Sequence, residues 1–225
     1  MVQGVRHIVP GMPVSEPFGG QGLRGVLHRP DVPTGDGMVL AHGAGGNCNA
    51  PVLVATAEAF CAAGLAVLRI DLPFRQRRPR GPPSPHGAAE DRDGLRRAVT
   101  ALRGAAGGRI FLGGHSYGGR QATLLAAEQP AVAAALVLLS YPLHPPDKPE
   151  TLRTKHFPQL RTPCVFVHGT RDPFGTIDEM RGAIAPIAAA TTLIPVPGAG
   201  HDLKRGAFDR RPMVDTLLAM REASR

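Results

Sequence analysis

The stretch RIFLGGHSYGGRQATLLAAEQP, residues 109–130, decides the fold. Ile110 to Leu112 form an apolar run that meets a glycine-dense hinge, and beyond the hinge a small-residue segment reads as helix as far as Pro130. One serine, Ser116, stands in the hinge, flanked by Gly113, Gly114, Gly118 and Gly119. Gly114-His115-Ser116-Tyr117-Gly118 fits G-x-S-x-G between a strand and a helix. A nucleophile there sits on a sharp, strained turn, and side chains two residues either side would clash with the adjoining strand and helix. The helix start would aim unpaired N–H groups and a positive dipole end at the serine oxygen. The pentapeptide is a weak signal alone; between a strand and a helix it becomes a strong one.

Outward from this hinge the pattern alternates. Strands are expected at 23–30, 37–43, 65–72, 108–114, 134–142, 163–169 and 191–198. Helices are expected at 51–64, 89–105, 117–129, 177–188 (imperfect because of Pro186) and 210–224. In the second helix Leu95, Val99, Leu102 and Ala106 recur at helical spacing. Short strands, apolar on both faces and separated by helices, imply an α/β fold with a mostly parallel sheet covered on both sides. Ligands of such sheets sit beyond the carboxyl ends of the strands. No internal repeat or second-domain linker is visible, so a single domain over residues 1–225 is expected.

A serine hydroxyl is a poor nucleophile at neutral pH, and needs a histidine to accept its proton and a carboxylate to orient that histidine. The chain order for this architecture is serine, acid, histidine. Asp172 in TRDPFG follows the strand PCVFVHG, and His201 in AGHDLKRG follows the strand TTLIPVPG. Both fall on the edge that carries Ser116. Among the other candidates, His115 adjoins the serine with its side chain expected to point away; His42 and His168 end strands and are read as loop braces. Asp178 suits the first turn of a helix, Asp202 is too close in sequence to orient His201, and Asp71 closes an earlier strand.

A tetrahedral intermediate needs an oxyanion hole. One donor is expected to be the backbone N–H of Tyr117 and the other that of Ala44 in AHGAGGNCN (41–49), with Gly43 and Gly45 close behind. HGAGG lacks the lysine of a P-loop. No cluster of His, Cys and Asp has metal-ligand spacing, so neither metal nor cofactor is implied.

Composition bounds the alternatives. Hydrophobic residues make up 43% and charged residues 20%, an ordinary globular balance. The net charge of +8 comes from 23 arginines against 3 lysines, densest in RQRRPR at 75–80. That stretch lacks aromatic interleaving and any nucleic-acid-binding motif, so it is read as a solvated loop and no nucleic-acid partner is expected. MVQGVRHIVPGMP has no apolar core of a leader peptide, and the longest apolar run, 131–139, is too short to span a bilayer. Cys48, Cys61 and Cys164 form no pairing pattern, which points to a reducing cytoplasm. The proline-rich segment 73–85 is read either as a stiff, poorly packed flap beside the site or as a plain surface connection, and Arg69 and Arg120 as members of buried ion pairs.

The segments LAHGAGG, LRIDLPFRQRRP, GGHSYGGRQA, SYPLHPP and VHGTRDPFG carry a resemblance. From about position 23 to the end the chain resembles an α/β-hydrolase. More narrowly it resembles a small branch holding uncharacterised bacterial hydrolases, a testis-expressed protein and a subunit of a chromatin acetyltransferase complex. It is distantly similar to dienelactone hydrolases, which use cysteine where this chain has Ser116. The resemblance implies the α/β-hydrolase fold and the triad Ser116, Asp172 and His201. It says little about the substrate; the expected activity is that of a serine hydrolase of small to medium esters or thioesters, or alternatively the chain is a weakly active or inactive interaction protein on the same fold. Only about twenty residues separate the strand ALVLLS from the next, too few for a lid domain. Phe74, Tyr141 and His144 are expected to line an open substrate site, together with Tyr117 and Leu143.

Overall fold

The computed structural model describes residues 14–20, 22–204 and 208–222. The opening residues 1–13, in which no leader core was found, and residues 205–207 and 223–225 lie outside that set. Among the described residues eight strands form one sheet: β1 (Val14–Gly20), β2 (Leu23–Arg29), β3 (Gly37–Ala41), β4 (Ala66–Ile70), β5 (Ile110–His115), β6 (Leu136–Leu139), β7 (Cys164–Gly169) and β8 (Thr191–Val196). Their order is β1-β2-β4-β3-β5-β6-β7-β8. β1 and β2 pair antiparallel, as do β2 and β4; every other pairing is parallel. The helices are α1 (Pro51–Ala62), α2 (Pro73–Arg77), α3 (Ala88–Ala105), α4 (Tyr117–Glu128), α5 (Ile177–Ile184) and α6 (Arg211–Glu222).

Successive residues of a strand face opposite sides of the sheet, so each central strand feeds two cores. Val39 and Ala41 of β3 join Leu95, Val99 and Leu102 of α3, Leu125 of α4 and Met180 of α5 on one face. Met38 and Leu40 of the same strand join Leu53 and Phe60 of α1 and Met213 and Leu217 of α6 on the other. Each such leucine removed from water contributes about 1.5–3 kcal/mol, which is why two-sided apolar strands end up between helix layers.

The departures from the sequence expectations have local causes. β1 was not foreseen: VSEPFGG contains Pro17 and two glycines and shows no apolar alternation. It exists because Gly20 and Gly22, both at positive φ, turn the chain back so that it pairs with β2. β1 is the edge strand of the sheet, where proline is tolerated. α5 ends at Ile184 instead of running to 188, since Pro186 has no N–H to continue the helical hydrogen bonds, although Ala185 before it still has helical backbone. Its start is a capping box: Glu179 N–H donates to Thr176 Oγ1 at 3.2 Å, and Thr176 N–H to Glu179 Oε2 at 2.7 Å. No described helix is long and apolar enough to cross a membrane. Cys48, Cys61 and Cys164 are buried free thiols.

The segment 73–85 is packed at its start and exposed over residues 77–82. Its first five residues are α2, and Arg75, only 3% exposed, ties the rest of the segment down by donating to the carbonyls of Arg78 (3.2 Å) and Gly81 (3.0 Å). Between β6 and β7, residues 140–163 carry only the single 3₁₀ turn Phe157–Gln159, so no lid domain covers the strand ends.

Candidate active site

The hinge after β5 is as tight as its glycines imply. Ser116 has φ 50° and ψ −115°, a backbone setting rare for any residue with a side chain. A Cβ on Gly114 would lie 2.5 Å from the Ala41 carbonyl oxygen, and one on Gly118 would meet the same oxygen at 2.5 Å. Both contacts are with backbone, which cannot swing aside, so glycine is required. The turn is held by Ser116 N–H donating to Leu139 C=O at 2.8 Å.

Three loops at the carboxyl edge then converge. Ser116 follows β5, Asp172 follows β7 and His201 follows β8. Asp172 Oδ2 lies 2.8 Å and Oδ1 3.0 Å from His201 Nδ1, and His201 Nε2 lies 2.8 Å from Ser116 Oγ. With a carboxylate at Nδ1 that nitrogen carries the ring proton, so Nε2 accepts from the serine hydroxyl. The Asp172 side chain is fully buried; its Oδ1 also accepts from Phe174 N–H at 2.9 Å. His201 is half-enclosed, with Phe174 stacked at 4.2 Å between ring centroids and a tilt of 32°.

The spectators fall into place around this relay. His42 Nδ1 donates to Gly43 C=O at 2.8 Å and its Nε2 accepts from Leu72 N–H at 3.1 Å, bracing the loop after β3. His168 Nε2 donates to Gly175 C=O at 2.7 Å, bracing the loop after β7. Asp178 is exposed beside Arg181, Asp202 beside Lys204, and Asp71 pairs with Arg24 at 2.8 Å.

His115 does not point away. Its ring lines the cavity, and Nε2 donates to the His201 carbonyl at 2.7 Å. Burial pushes its pKa down to about 4, keeping it neutral and able to hold that bond. Burial likewise lowers His28 and His156 to about 4, and shifts His42 and His168 downward. These rings stay neutral in the fold but take up protons near pH 6.5 once unfolded. The unfolded chain then binds more protons, so stability is lost as pH falls from 6.5 towards 4. The expected result is a melting temperature several degrees lower at pH 4.5 than at pH 7.5. A loss of about 2 kcal/mol moves the midpoint of a chain this size by roughly 4–8 °C. Scanning calorimetry at the two pH values checks it, and an unchanged midpoint would contradict the buried neutral rings.

A cavity of about 410 Å³ opens onto Ser116. Gly43, Ala44, Gly45 and Gly46 form one wall, Ala50, Pro51 and Val52 at the start of α1 an apolar side, and His115, Phe174 and His201 the other; Asp202 and Lys204 stand at the rim. Tyr117 opens α4, so its N–H is among the first four of the helix that lack an intrahelical acceptor.

The three expected lining side chains are elsewhere. Tyr141 is fully buried, its hydroxyl donating to Arg153 C=O at 2.7 Å, because the chain after β6 turns its ring into the core against Phe157 and Phe166. Phe74 is buried between His42 and Tyr117, at 5.5 and 5.7 Å. His144 is buried too, donating to Pro145 C=O at 2.8 Å. Leu143 packs into the same core, and Tyr117 points its hydroxyl at Asp91 Oδ2, 2.7 Å away. Nor does Arg69 form a buried ion pair: it donates to His28 Nε2 at 2.9 Å, Asn49 Oδ1 at 3.2 Å and the Cys48 carbonyl. Arg120 Nε lacks a hydrogen-bond partner among the described residues. Phe174 was missed; its place two residues after Asp172 in RDPFG was the available signal.

Residues 35–220 match a family model described as an alpha/beta hydrolase domain. The chain belongs to the α/β-hydrolase family. Among solved structures the hydrolase is similar to a dienelactone hydrolase from Anabaena variabilis, with 23% identity, a TM-score of 0.68, and coverage of 95% of this chain and 97% of that one. It is also similar to a serine hydrolase without a lid from Xanthomonas campestris, with 18% identity, a TM-score of 0.71, and coverage of 95% and 97%. A third is Est1E from Butyrivibrio proteoclasticus, with 16% identity, a TM-score of 0.70, and coverage of 92% and 98%. At these identities the likeness is one of fold. The Xanthomonas protein is described as having no lid, and in this chain residues 140–163 likewise carry only one 3₁₀ turn.

Proposed function

We propose that the protein is a serine hydrolase cleaving a small to medium ester or thioester through Ser116, His201 and Asp172. The observation that carries this reading is the continuous hydrogen-bonded line from Asp172 through His201 to Ser116 Oγ, with both links at 2.8 Å, at the mouth of a cavity. His201 Nε2 takes the hydroxyl proton as Oγ attacks the acyl carbon, and Asp172 stabilises the imidazolium that forms. The N–H groups of Tyr117 and Ala44 receive the negative oxygen of the tetrahedral intermediate. His201 then returns the proton to the leaving alcohol or thiol. Water, deprotonated by the same ring, releases the acid and restores the serine.

The cavity favours modest acyl groups: Ala50, Pro51 and Val52 offer a short apolar side, and a volume of about 410 Å³ is near the lower end for small-molecule sites. Placement in the branch with the testis-expressed and chromatin-complex proteins rests on sequence motifs alone and names no substrate. None of residues 75–80 lines the cavity; Arg75 is buried and Arg77 pairs with Glu90.

A fluorophosphonate probe should label the native protein and leave Ser116→Ala unlabelled. A series of p-nitrophenyl esters from acetate to decanoate should show kcat/KM highest for the shorter acyl chains. A native protein that resists the probe and hydrolyses none of the series would instead support a non-catalytic interaction protein on this fold.

A further inference from the structure

The densest arginine stretch contains one residue that is not a surface charge. Arg75 sits in α2, 3% exposed, and is absent from the cavity lining. It donates through Nη2 to Ala44 C=O at 2.8 Å and through Nε to Gly46 C=O at 2.8 Å, gripping the glycine loop after β3 from behind. Its own carbonyl accepts from Arg24 at 3.3 Å, and Arg24 pairs with Asp71, whose Oδ1 accepts from Cys48 N–H at 2.8 Å further along the same loop.

We infer that Arg75 is a positioning residue that fixes the glycine loop carrying the oxyanion-binding amide of Ala44 and sets the direction of the Gly45 amide beside it. The inference rests on the serine-hydrolase reading above. Its physical basis is the planar trans peptide, in which N–H and C=O point in opposite directions. The Gly43 carbonyl is taken by His42 Nδ1 at 2.8 Å and Gly46 N–H at 3.0 Å, which sets the direction of Ala44 N–H. The Ala44 carbonyl is taken by Arg75, which sets the direction of Gly45 N–H. Ala44, Gly45 and Gly46 line the cavity while Arg75 does not, and the Gly45 and Asn47 amides, opposite the carbonyls it holds, point away from the guanidinium. A glycine-rich loop has many other conformations available. One rigid guanidinium bonded to two of its carbonyls removes them, and a lysine, with a single ammonium, cannot reproduce that fork.

The test compares native protein, Arg75→Lys and Arg75→Ala. It measures kcat and KM on p-nitrophenyl butyrate, melting temperature, and deuterium exchange in peptides spanning residues 41–50. Both variants should lose kcat by about 10–100-fold, less than the loss from removing an oxyanion donor outright, with KM changed less than about 3-fold. Exchange over residues 41–50 should accelerate, and added guanidinium ion should restore part of the kcat of Arg75→Ala. Variants whose kcat falls only with the folded fraction, with no guanidinium rescue, would reduce Arg75 to a structural role and overturn the inference. So would full kcat in a folded Arg75→Lys with unchanged exchange. If the native protein labels at Ser116 and the variants behave as native, this inference fails alone. If the native protein neither labels nor hydrolyses, the serine-hydrolase reading fails and takes the positioning role with it.

Discussion

His201→Ala is expected to lower kcat by about 10⁶-fold, with Ser116→Ala costing about as much and the double variant falling little further. The non-additivity follows from the geometry. His201 Nε2 is the acceptor 2.8 Å from Ser116 Oγ, and either residue is inert without the other. What survives is the contribution of the backbone amides and the cavity, about 10³–10⁴ over the uncatalysed reaction. The fold should tolerate both changes, because the His201 side chain is 21% exposed at the rim of the cavity. Single-turnover kinetics on a p-nitrophenyl ester, with circular dichroism of each variant, makes the check. A double variant reduced by the product of the two single losses would mean that the residues act independently, and the relay would be wrong.

Asp172→Asn should cost about 10⁴-fold in kcat while leaving the melting temperature nearly unchanged. Asparagine keeps an oxygen for Phe174 N–H, the 2.9 Å bond that shapes the loop after β7. Its amide NH₂ is then left facing His201 Nδ1. That nitrogen must accept instead of donate, which moves the ring proton to Nε2. A protonated Nε2 donates towards Ser116 Oγ and cannot take its proton. Nitrogen chemical shifts of the His201 ring report the tautomer directly: protonated at Nδ1 in the native protein, at Nε2 in the variant. A variant within about tenfold of native kcat would show that the carboxylate does not orient the ring.

Much of this molecule is written locally in the chain. The spacing of Leu95, Val99 and Leu102 marks the buried face of α3, and the two-sided apolar runs of β3 and β5 mark strands between helix layers. The glycines around Ser116 mark the hinge, because each is required by a backbone contact built from neighbouring turns of chain. Ser116, Asp172 and His201 could be picked out because each follows a strand by a few residues, and parallel strands bring their ends to one edge. β1 carried no such mark, since only pairing with β2 makes it a strand.

Side-chain direction beyond a strand end obeys no period. Tyr141 and His144 lie in the loop expected and Phe74 in the short helix α2, yet each turns into the protein, where aromatic neighbours or a carbonyl receive it. His115 turns the other way and supports the His201 loop. Arg75 reads in the sequence as one more cation of RQRRPR, and becomes an internal clamp only because α2 lays it against carbonyls some thirty residues earlier in the chain. The sequence by itself determined the layered architecture, the hinge and the order of the three converging residues, since periodicity, glycine sterics and chain order are all short-range. Only the tertiary structure decided which groups face the cavity and which carbonyls each buried cation takes. Those outcomes depend on what the rest of the chain brings alongside.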